Sequence, residues 1–277
     1  MNLHDSLTDA ATRASERMVG ALGNAACYDH PAHDIEVVET HISWVVLAGA
    51  YAYKIKKPVN LGFLDFSSPA ARRYYCEEEL RLNRRFAPDL YLEVVPITGD
   101  INTPHVGGAG PLIEYAVKMR RFDQAARLDA MLARGALARA VIEALARRIA
   151  TFHATAPAAL DTPGIEPAKG FLTPALENFR QMLPYLESAE DLESLARLRQ
   201  WTLTEYERIA RLQTQRLSGG SLRECHGDMH LANVVLLEGG PTPFDCIEFD
   251  PELRWIDPMS EVAFMAMDLA FHGRRDL

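Results

Sequence analysis

Three oxygen-bearing side chains near the end of the sequence have a spacing that suits phosphoryl transfer. Asp228 is followed five residues later by Asn233, and Asp245 comes after a pattern typical of a β-hairpin. A carboxylate can accept the proton of an attacking hydroxyl, while an amide oxygen and a second carboxylate can hold Mg²⁺ against nucleotide phosphates. The segment therefore indicates a site that moves a phosphoryl group to a hydroxyl.

Such a site also needs a lysine on an upstream strand and a glutamate on a helix. Lys54 lies in a segment dense in β-branched and aromatic residues, and Glu79 lies in a charged segment without Gly or Pro. Lys56 shares the strand face with Lys54, because side chains two residues apart in a strand point the same way. Glu77 and Glu78 adjoin Glu79, so the sequence leaves the choice of lysine and of glutamate open.

The first part of the chain is predicted to form a small sheet with one helix. Dense β-branched and aromatic residues, broken by small residues, predict two or three antiparallel strands. A charged segment that follows a serine cap predicts the helix. The predicted ranges are 5–19 for a lead-in helix, 35–59 for the first strands, 70–86 for the helix, and 91–97 and 112–119 for two strands separated by a turn containing Gly and Pro. Together they predict a five-stranded antiparallel sheet.

The chain after about residue 122 is predicted to be mostly helical. Helices are predicted for 124–134, 136–154, 172–186 and 190–216, and a hairpin for 233–238 and 242–249. The fold class is therefore α+β with two lobes. Residues 1–119 are predicted to form the β-rich N-terminal lobe, and residues 120–277 the C-terminal lobe, with a helical insert at about 157–220.

Two motifs resemble a known family. HGDMHLAN at 226–233, followed by PFDCIEFD at 243–250, resembles the aminoglycoside phosphotransferase and choline kinase type of the protein-kinase-like fold. Three longer stretches are similar to a bacterial branch of uncharacterised aminoglycoside-phosphotransferase-like proteins: THISWVVLAGAYAYKIKKPV, CEEELRLNRRFAPDLYLEVVPI and FDCIEFDPELRWIDPMSEVAFMAMDL. The resemblance covers about residues 34–275. It implies a protein-kinase-like fold, ATP and Mg²⁺ as cofactors, and a small molecule with a hydroxyl group as acceptor.

The resemblance also implies a role for each polar residue of the two motifs. Asp228 becomes the catalytic base or the carboxylate that orients the hydroxyl, and His226 is expected to order the catalytic loop by hydrogen bonding. Asn233 and Asp245 become metal ligands. Glu248 stays open as an alternative to Asp245, because relatives with an Asp-Phe or Asp-Trp pair could be aligned there instead.

On the N-terminal side, the resemblance implies that a strand lysine contacts the α- and β-phosphates of the nucleotide. Lys54 is the first candidate, with Glu79 paired to it, and Lys56 is the alternative. The sequence has no GxGxxG motif, so other residues would have to form the loop that covers the phosphates. These are Thr40, His41 and Ser43, whose hydroxyls and amides could contact phosphate.

Two further positions follow from the same resemblance. Asp257 and Glu261 match a later acidic pair of the family and are expected to be structural, bonding the backbone of the catalytic loop. Residues 120–122 are expected at the connector between the lobes, where backbone groups would meet adenine.

Composition excludes several other classes of protein. With 29 basic and 38 acidic residues among 277, the formal charge of −9 excludes an obligate nucleic-acid coat protein. No run of 18 apolar residues occurs, and four cysteines without CxxC spacing fit neither a zinc ribbon nor a disulfide framework. We therefore expect a cytoplasmic protein with no nucleic-acid or membrane partner.

The sequence leaves alternatives open for the extent of the protein and for its activity. Relatives generally continue with further helices after the position of Leu277, and some carry a C-terminal P-loop kinase-like domain, so we expect a fragment or a short form. A catalytically inactive nucleotide-binding regulatory module of the same fold is the alternative function, and transfer of AMP instead of phosphate also stays open. A protein kinase would need an activation segment and an APE-type anchor, which the sequence lacks.

Overall fold

A computed structural model describes residues 3–62, 64–161 and 172–277. Helix α1 (Leu3–Ala21) precedes an antiparallel sheet, and helix α2 (Pro69–Asn83) lies between its third and fourth strands. The strands are β1 (Glu36–Glu39), β2 (Ser43–Ala48), β3 (Tyr51–Lys56), β4 (Tyr91–Asp100), β5 (Thr103–Val106) and β6 (Leu112–Arg120). Their order across the sheet is β1-β2-β3-β6-β4-β5.

The sheet has six strands, so the predicted number of five was wrong by one. Strand β4 extends to Asp100 and turns back at once into β5, within the segment predicted to be only a turn. Pro104 lies in β5 and lacks the N–H that a central strand would need. It is tolerated because β5 forms an edge of the sheet, where one side has no neighbouring strand.

The two faces of the sheet pack against different parts of the chain. Trp44 and Val46 of β2 lie in one buried cluster with Met18 of helix α1. Leu47, which points the other way, lies in a second cluster with Leu82 of helix α2. The alternation of β2 therefore directs one face toward α1 and the other toward α2, where the polar residues of β3 also point.

The second part of the chain is mostly helical, as predicted. Its helices are α3 (Leu128–Ala133), α4 (Arg139–Thr155), α5 (Leu172–Met182), α6 (Ala189–Ser218), α7 (Pro251–Arg254) and α8 (Pro258–Phe271). The helix predicted for 172–186 changes to a 3₁₀ turn at Leu183–Tyr185, because Pro184 cannot donate a helical hydrogen bond. Residues 162–171 of the predicted insert lie outside the described residues. In the described ranges, no helix has the length and apolar character needed to cross a membrane.

A short hairpin interrupts the helices as predicted, but its second strand is shorter than expected. Strands β8 (Val234–Leu237) and β9 (Gly240–Pro243) form the hairpin, and β7 (Arg223–Glu224) pairs with β10 (Trp255–Ile256). The strand predicted for 242–249 ends at Pro243. Beyond it, the Cys246 N–H donates to Asn83 Oδ1 of helix α2 at 3.0 Å instead of to β8. This segment is therefore a loop held by the N-terminal part of the chain.

Candidate active site

Helix α2 directs one glutamate toward the lysines of β3. Glu79 has no exposed surface, and its two carboxylate oxygens accept from different lysines. Lys54 Nζ donates to Oε1 at 2.8 Å, and Lys56 Nζ donates to Oε2 at 2.8 Å. Strand alternation places both lysines on the face that α2 covers. The structure therefore brings both candidate lysines to the same glutamate.

The neighbouring glutamates of α2 point elsewhere. Glu77 pairs with Arg73 one helical turn away, and about half of each side chain is exposed. Glu78 pairs with Arg81, also on α2. Of the three adjacent glutamates, only Glu79 contacts β3, because successive side chains on a helix are rotated by about 100°.

Asp245 lies at the end of the cleft nearest to Lys54. Its Oδ1 accepts a hydrogen bond from Lys54 Nζ at 2.5 Å, and 43% of its side chain is exposed. Partial burial opposes ionisation, but Lys54 outweighs it and holds the pKa of Asp245 below its ordinary value. Burial likewise opposes the charge of Lys54, whereas Asp245 and Glu79 raise the pKa of Lys54 well above its ordinary value. Both groups are therefore charged at neutral pH.

The backbone at Asp245 adopts an unusual conformation. Its φ of +65° lies in the left-handed region, which costs a residue with a side chain about 1–3 kcal/mol. Two hydrogen bonds hold it there: the Asp245 N–H donates to Tyr91 Oη at 3.1 Å, and the Cys246 N–H donates to Asn83. Asn83 and Tyr91 are not among the site residues that the sequence predicts. The signal for Asn83 is its place four residues after Glu79, on the same inward face of α2.

Glu248 has a different environment from Asp245. Its carboxylate is only 3% exposed and forms a very short contact with the fully enclosed ammonium of Lys56. Asp245 and Glu248 both border the cleft, but Glu248 is paired with Lys56, which is fully buried and does not line the cleft. The accessible carboxylate of the pair is therefore that of Asp245.

The loop at residues 226–233, which the sequence predicts to be the catalytic loop, is built on tight backbone contacts. Gly227 has a φ of +90°, and a Cβ at this position would lie 2.8 Å from the carbonyl oxygen of Leu253. Glu261 of α8 accepts from the N–H groups of His226 at 2.6 Å and Gly227 at 3.0 Å, while His153 binds its other oxygen at 2.8 Å. Glu261 thus bonds the loop backbone.

His226 is buried and holds the loop from inside. Its Nε2 lies 2.8 Å from the Phe244 carbonyl oxygen, which can only accept, so Nε2 carries the proton. Its Nδ1 accepts from the Asp228 N–H at 3.2 Å. This tautomer is neutral, and it links the loop to the segment that leads into Asp245.

Asp228 and Asn233 meet inside the loop. Asn233 Nδ2 donates to Asp228 Oδ2 at 2.9 Å and to the Asp228 carbonyl oxygen at 3.0 Å, so the amide oxygen is the atom of Asn233 left for ligation. His230 Nε2 lies 3.6 Å from the same Oδ2. Burial opposes ionisation of Asp228, yet His230 and Asn233 hold its pKa below the ordinary value. Asp228 is therefore a carboxylate, with Oδ1 as its freer oxygen.

In the metal-free protein, we expect the pKa values of the two loop histidines, His226 and His230, to be shifted in opposite directions from the ordinary value. The Asp228 carboxylate raises the pKa of His230, whereas burial lowers the pKa of His226. His230 therefore contributes stability that is fully present below its unfolded pKa of about 6.5 and lost as the pH rises through its folded pKa. His226 costs stability as the pH falls below about 6.5.

Imidazole resonances followed by NMR during a pH titration measure both values. Asp228→Asn should lower the pKa of His230, because it removes the charge that raises it. A His230 midpoint at or below that of an unfolded histidine would contradict the geometry of this pair.

A cleft of about 580 Å³ runs between the sheet and the catalytic loop. Lys54, Asp228, Asn233 and Asp245 all line it, together with apolar residues of β2, β3 and β6 such as Val45. The residues predicted for the connector also border it: Arg120, Arg121 and Phe122. The cleft is therefore lined by both polar and apolar residues, which suits a ligand that has both kinds of surface.

Of the three residues predicted for the phosphate-covering loop, two line the cleft and one does not. Thr40 and His41 line the cleft. Ser43 does not, since it is fully buried and its Oγ has no hydrogen-bond partner within the described residues. A tight turn connects them, in which Thr40 Oγ1 accepts from the Ser43 N–H at 3.0 Å. Of the three, Thr40 and His41 are placed to reach a ligand.

The donor set of Asn233 and Asp245 fits Mg²⁺. Asn233 offers an amide oxygen and Asp245 a partly exposed carboxylate, and both line the same cleft. Hard cations such as Mg²⁺ prefer one or two protein oxygens and complete their coordination with water and phosphate oxygens. Among the described cysteines only Cys246 lines this cleft, and it is buried. The ligand atoms that Asn233 and Asp245 offer are oxygens, which suit Mg²⁺ better than a softer metal.

A second polar cluster ties α2 to the strand that leads into the catalytic loop. Glu224 of β7 is 4% exposed and lies among three arginines. Arg81 donates to it at 2.7 Å, Arg85 at 3.1 Å and the nearly buried Arg254 at 3.3 Å. Arg85 also donates to the carbonyl oxygen of Cys225 at 3.0 Å. The cluster fixes the helix that carries Glu79 relative to the loop that carries Asp228.

The chain is similar to several known proteins. The profile of the phosphotransferase enzyme family (APH) matches residues 64–276. Uncharacterized protein Rv2004c of Mycobacterium tuberculosis (strain ATCC 25618 / H37Rv) and uncharacterized protein Mb2027c of Mycobacterium bovis are each 32% identical to the chain over 259 residues. These matches cover 92% of the chain and 50% of each relative, so the chain spans about half the length of these curated relatives.

Solved structures give more distant matches. The GDP and kanamycin complex of APH(2")-IIia is 13% identical, with 88% of this chain and 79% of that chain covered and a TM-score of 0.40. Glucosamine kinase in complex with glucosamine, ADP and inorganic phosphate is 19% identical, with 94% and 63% covered and a TM-score of 0.39.

Proposed function

Because the chain belongs to the phosphotransferase enzyme family, we propose that it transfers the γ-phosphoryl group of ATP to a hydroxyl group of a small molecule. One observation carries this proposal. Lys54, Asp228, Asn233 and Asp245 come from distant parts of the chain and line one cleft. Each supplies a group that phosphoryl transfer needs: a cation for the phosphates, a carboxylate for the hydroxyl, and oxygen ligands for a metal.

Asp228 is proposed to orient the acceptor hydroxyl and to accept its proton. Asn233 and His230 occupy the side of Oδ2, which leaves Oδ1 to accept from the hydroxyl. The lowered pKa keeps the carboxylate ionised before the acceptor arrives. Such a carboxylate is a weak base, so its main contribution is to position the hydroxyl oxygen and to receive the proton as the new bond forms.

Lys54 is proposed to bind the α- and β-phosphates. Its ammonium now bridges Glu79 and Asp245, and it borders the cleft with 10% of its side chain exposed. Asn233 and Asp245 would hold Mg²⁺, which neutralises charge on the nucleotide phosphates when bound. A metal at Asp245 would compete with Lys54 for the carboxylate and direct the ammonium toward the phosphates. Mg²⁺ and the Lys54 ammonium would then both stabilise the negative charge that develops on the phosphate oxygens during transfer.

The segment after Asp245 favours a small acceptor over a protein. The Ile247 N–H donates to the His226 carbonyl oxygen at 3.1 Å, and β10 pairs with β7 before α8 begins. Within this described segment no extended stretch is left to receive a peptide, as an activation segment would in a protein kinase. A small molecule needs only the space beside Asp228.

The test of this function is nucleotide binding measured by calorimetry, with ATP and GTP, each with and without Mg²⁺. We expect wild-type protein to bind ATP more tightly with Mg²⁺. Asp245→Ala should reduce the effect of Mg²⁺ by about tenfold or more, because it removes a carboxylate ligand. Glu252→Ala removes an exposed carboxylate of α7 that lies outside the cleft, and should behave as wild type.

Each alternative result has a defined meaning. If wild-type protein binds neither nucleotide, the catalytic assignment is to be withdrawn. If Asp245→Ala keeps the full effect of Mg²⁺, the metal is held by other residues. Binding without transfer to any hydroxyl, including that of water, would favour a nucleotide-binding regulatory module instead.

A further inference from the structure

Lys56 is a buried cation outside the nucleotide cleft. Its ammonium is fully enclosed, whereas that of Lys54 borders the cleft. Lys56 contacts Glu79 at 2.8 Å and Glu248 at a very short distance, and its Nζ lies 5.0 Å from the centre of the Phe66 ring. Burying an ammonium is costly unless it is paired, and Lys56 has two carboxylate partners. Its position therefore requires an explanation other than nucleotide contact.

The charges around Glu79 suggest that Lys54 and Lys56 have different roles. Two ammonium groups, Lys54 and Lys56, face three carboxylates, Glu79, Asp245 and Glu248. If Lys54 turns toward nucleotide phosphates, Glu79 retains Lys56 on its other oxygen. Glu79 is fully buried, and an unpaired buried carboxylate is strongly destabilising. The contact with Lys56 keeps the charge of Glu79 compensated after Lys54 has turned away.

Glu248 connects Lys56 to the loop that carries Asp245. The two acidic residues are three positions apart, and the backbone at Asp245 is held in the left-handed region. The Glu248 carbonyl oxygen also accepts from Arg254 Nη1 at 3.1 Å. Lys56 therefore anchors the far end of this loop to β3, while Cys246 anchors its near end to α2 through Asn83.

We propose that Lys56 and Glu248 form an internal ion pair that holds Glu79 and the Asp245 loop in position, while Lys54 is free to exchange between Asp245 and the nucleotide. Lys56 is then a positioning residue that does not touch the nucleotide. Glu248 anchors the loop, and Asp245 is the carboxylate that ligates the metal. The exchange of Lys54 rests on the proposed function, whereas the anchoring of the loop does not.

The anchoring is tested without nucleotide by hydrogen exchange. In Lys56→Met, the Cys246 amide should exchange about tenfold faster or more, because the loop loses its tie to β3. Lys118→Met is the matched control, since Lys118 lies on the neighbouring β6 and pairs with the half-exposed Glu93. Its effect on the Cys246 amide should be negligible. Unchanged exchange in folded Lys56→Met would overturn the proposal.

Two further variants keep the test decisive if Lys56→Met fails to fold. Glu248→Gln keeps an oxygen acceptor for Lys56 but removes the charge, and should also accelerate exchange at Cys246. The double variant Lys56→Met/Glu248→Met removes one cation and one anion together, so the net charge of the cluster is unchanged. It should have a higher melting temperature than Lys56→Met or Glu248→Met alone, because neither partner is left as an unpaired buried charge.

The double variant also separates positioning from a merely structural role. We expect its Mg²⁺-dependent ATP binding to stay weaker than that of wild type by about 10- to 100-fold, although its stability is restored. Restored stability together with wild-type binding would show that the pair only stabilises the fold, and would overturn the proposal. If wild-type protein binds no nucleotide, the proposed function fails, and the exchange rates of Glu248→Gln and Lys56→Met still decide whether the pair anchors the loop.

Discussion

Asp228→Asn is expected to lower the rate of phosphoryl transfer by about 10²–10⁴-fold while ATP and Mg²⁺ still bind. Asparagine can keep an oxygen acceptor for Asn233 Nδ2, so the loop should retain its shape. The variant cannot accept the proton of the acceptor hydroxyl, and it cannot hold that hydroxyl with a full negative charge. The loss should therefore appear in kcat and not in nucleotide affinity.

Transfer to water, followed as slow ATP hydrolysis, allows this measurement before an acceptor is identified. Asp250→Asn is the matched control. Asp250 caps α7 by accepting from the Glu252 N–H at 2.8 Å, and asparagine caps a helix equally well. A rate in Asp228→Asn within a few-fold of wild type would remove Asp228 from the catalytic role. A parallel loss of ATP binding would mean that the substitution has disturbed the loop itself.

Glu224→Ala is expected to reduce the free energy of unfolding by about 3–5 kcal/mol, the typical effect of removing one partner from a buried ion pair. The substitution leaves Arg254, which is 6% exposed, without its carboxylate partner on β7. It also frees Arg81 of helix α2 and Arg85, which lies just after the end of that helix. Domains of ordinary stability have about 5–15 kcal/mol in total, so the loss is a large fraction. Urea denaturation followed by circular dichroism measures it.

A surface pair on the same helix provides the control. Glu77→Ala breaks the pair with Arg73, in which both side chains are more than half exposed, and should change the stability by no more than about 0.5 kcal/mol. A loss in Glu224→Ala no larger than this would mean that the three arginines find water or other partners. The cluster would then not contribute to the packing of α2 against β7.

Acid should act on the same cluster. Burial alone would raise the pKa of Glu224, but Arg81 and Arg85 outweigh it and lower the pKa. A carboxylate with a lowered folded pKa contributes stability that is present above its unfolded pKa, about 4.3, and is lost as the pH falls through the folded value. The destabilisation caused by Glu224→Ala should therefore shrink as the pH is lowered below about 4.

Local sequence patterns are sufficient to predict most of the elements and which residues meet within the loop at 226–233. Asp228 and Asn233 meet because both belong to one short loop, so their spacing in sequence nearly sets their distance in space. Lys54 and Lys56 share a face because a strand has a period of two. The α+β class follows from the same periods, since runs of alternating residues precede runs of helical ones.

The errors occur where tertiary contacts override a local pattern. Strand β5 is not predicted because Pro104 is typical of a turn. A proline is tolerated in this strand only because β5 lies at the edge of the sheet. The segment after Pro243 has the apolar composition of a strand. It forms a loop because Asn83 and Tyr91, more than 150 residues earlier, accept its N–H groups.

The sequence by itself determines which residue types are present for the chemistry, in which order, and on which element each lies. The tertiary structure alone decides the environment of each adjacent candidate. Lys54 faces the cleft and Lys56 does not, and the Asp245 carboxylate is exposed where that of Glu248 is enclosed. The physical reason is that burial and charge pairing depend on partners far away in the chain: Lys54 and Asp245 are 191 residues apart. Neighbours in sequence share a local pattern, but only folding gives each of them a different environment.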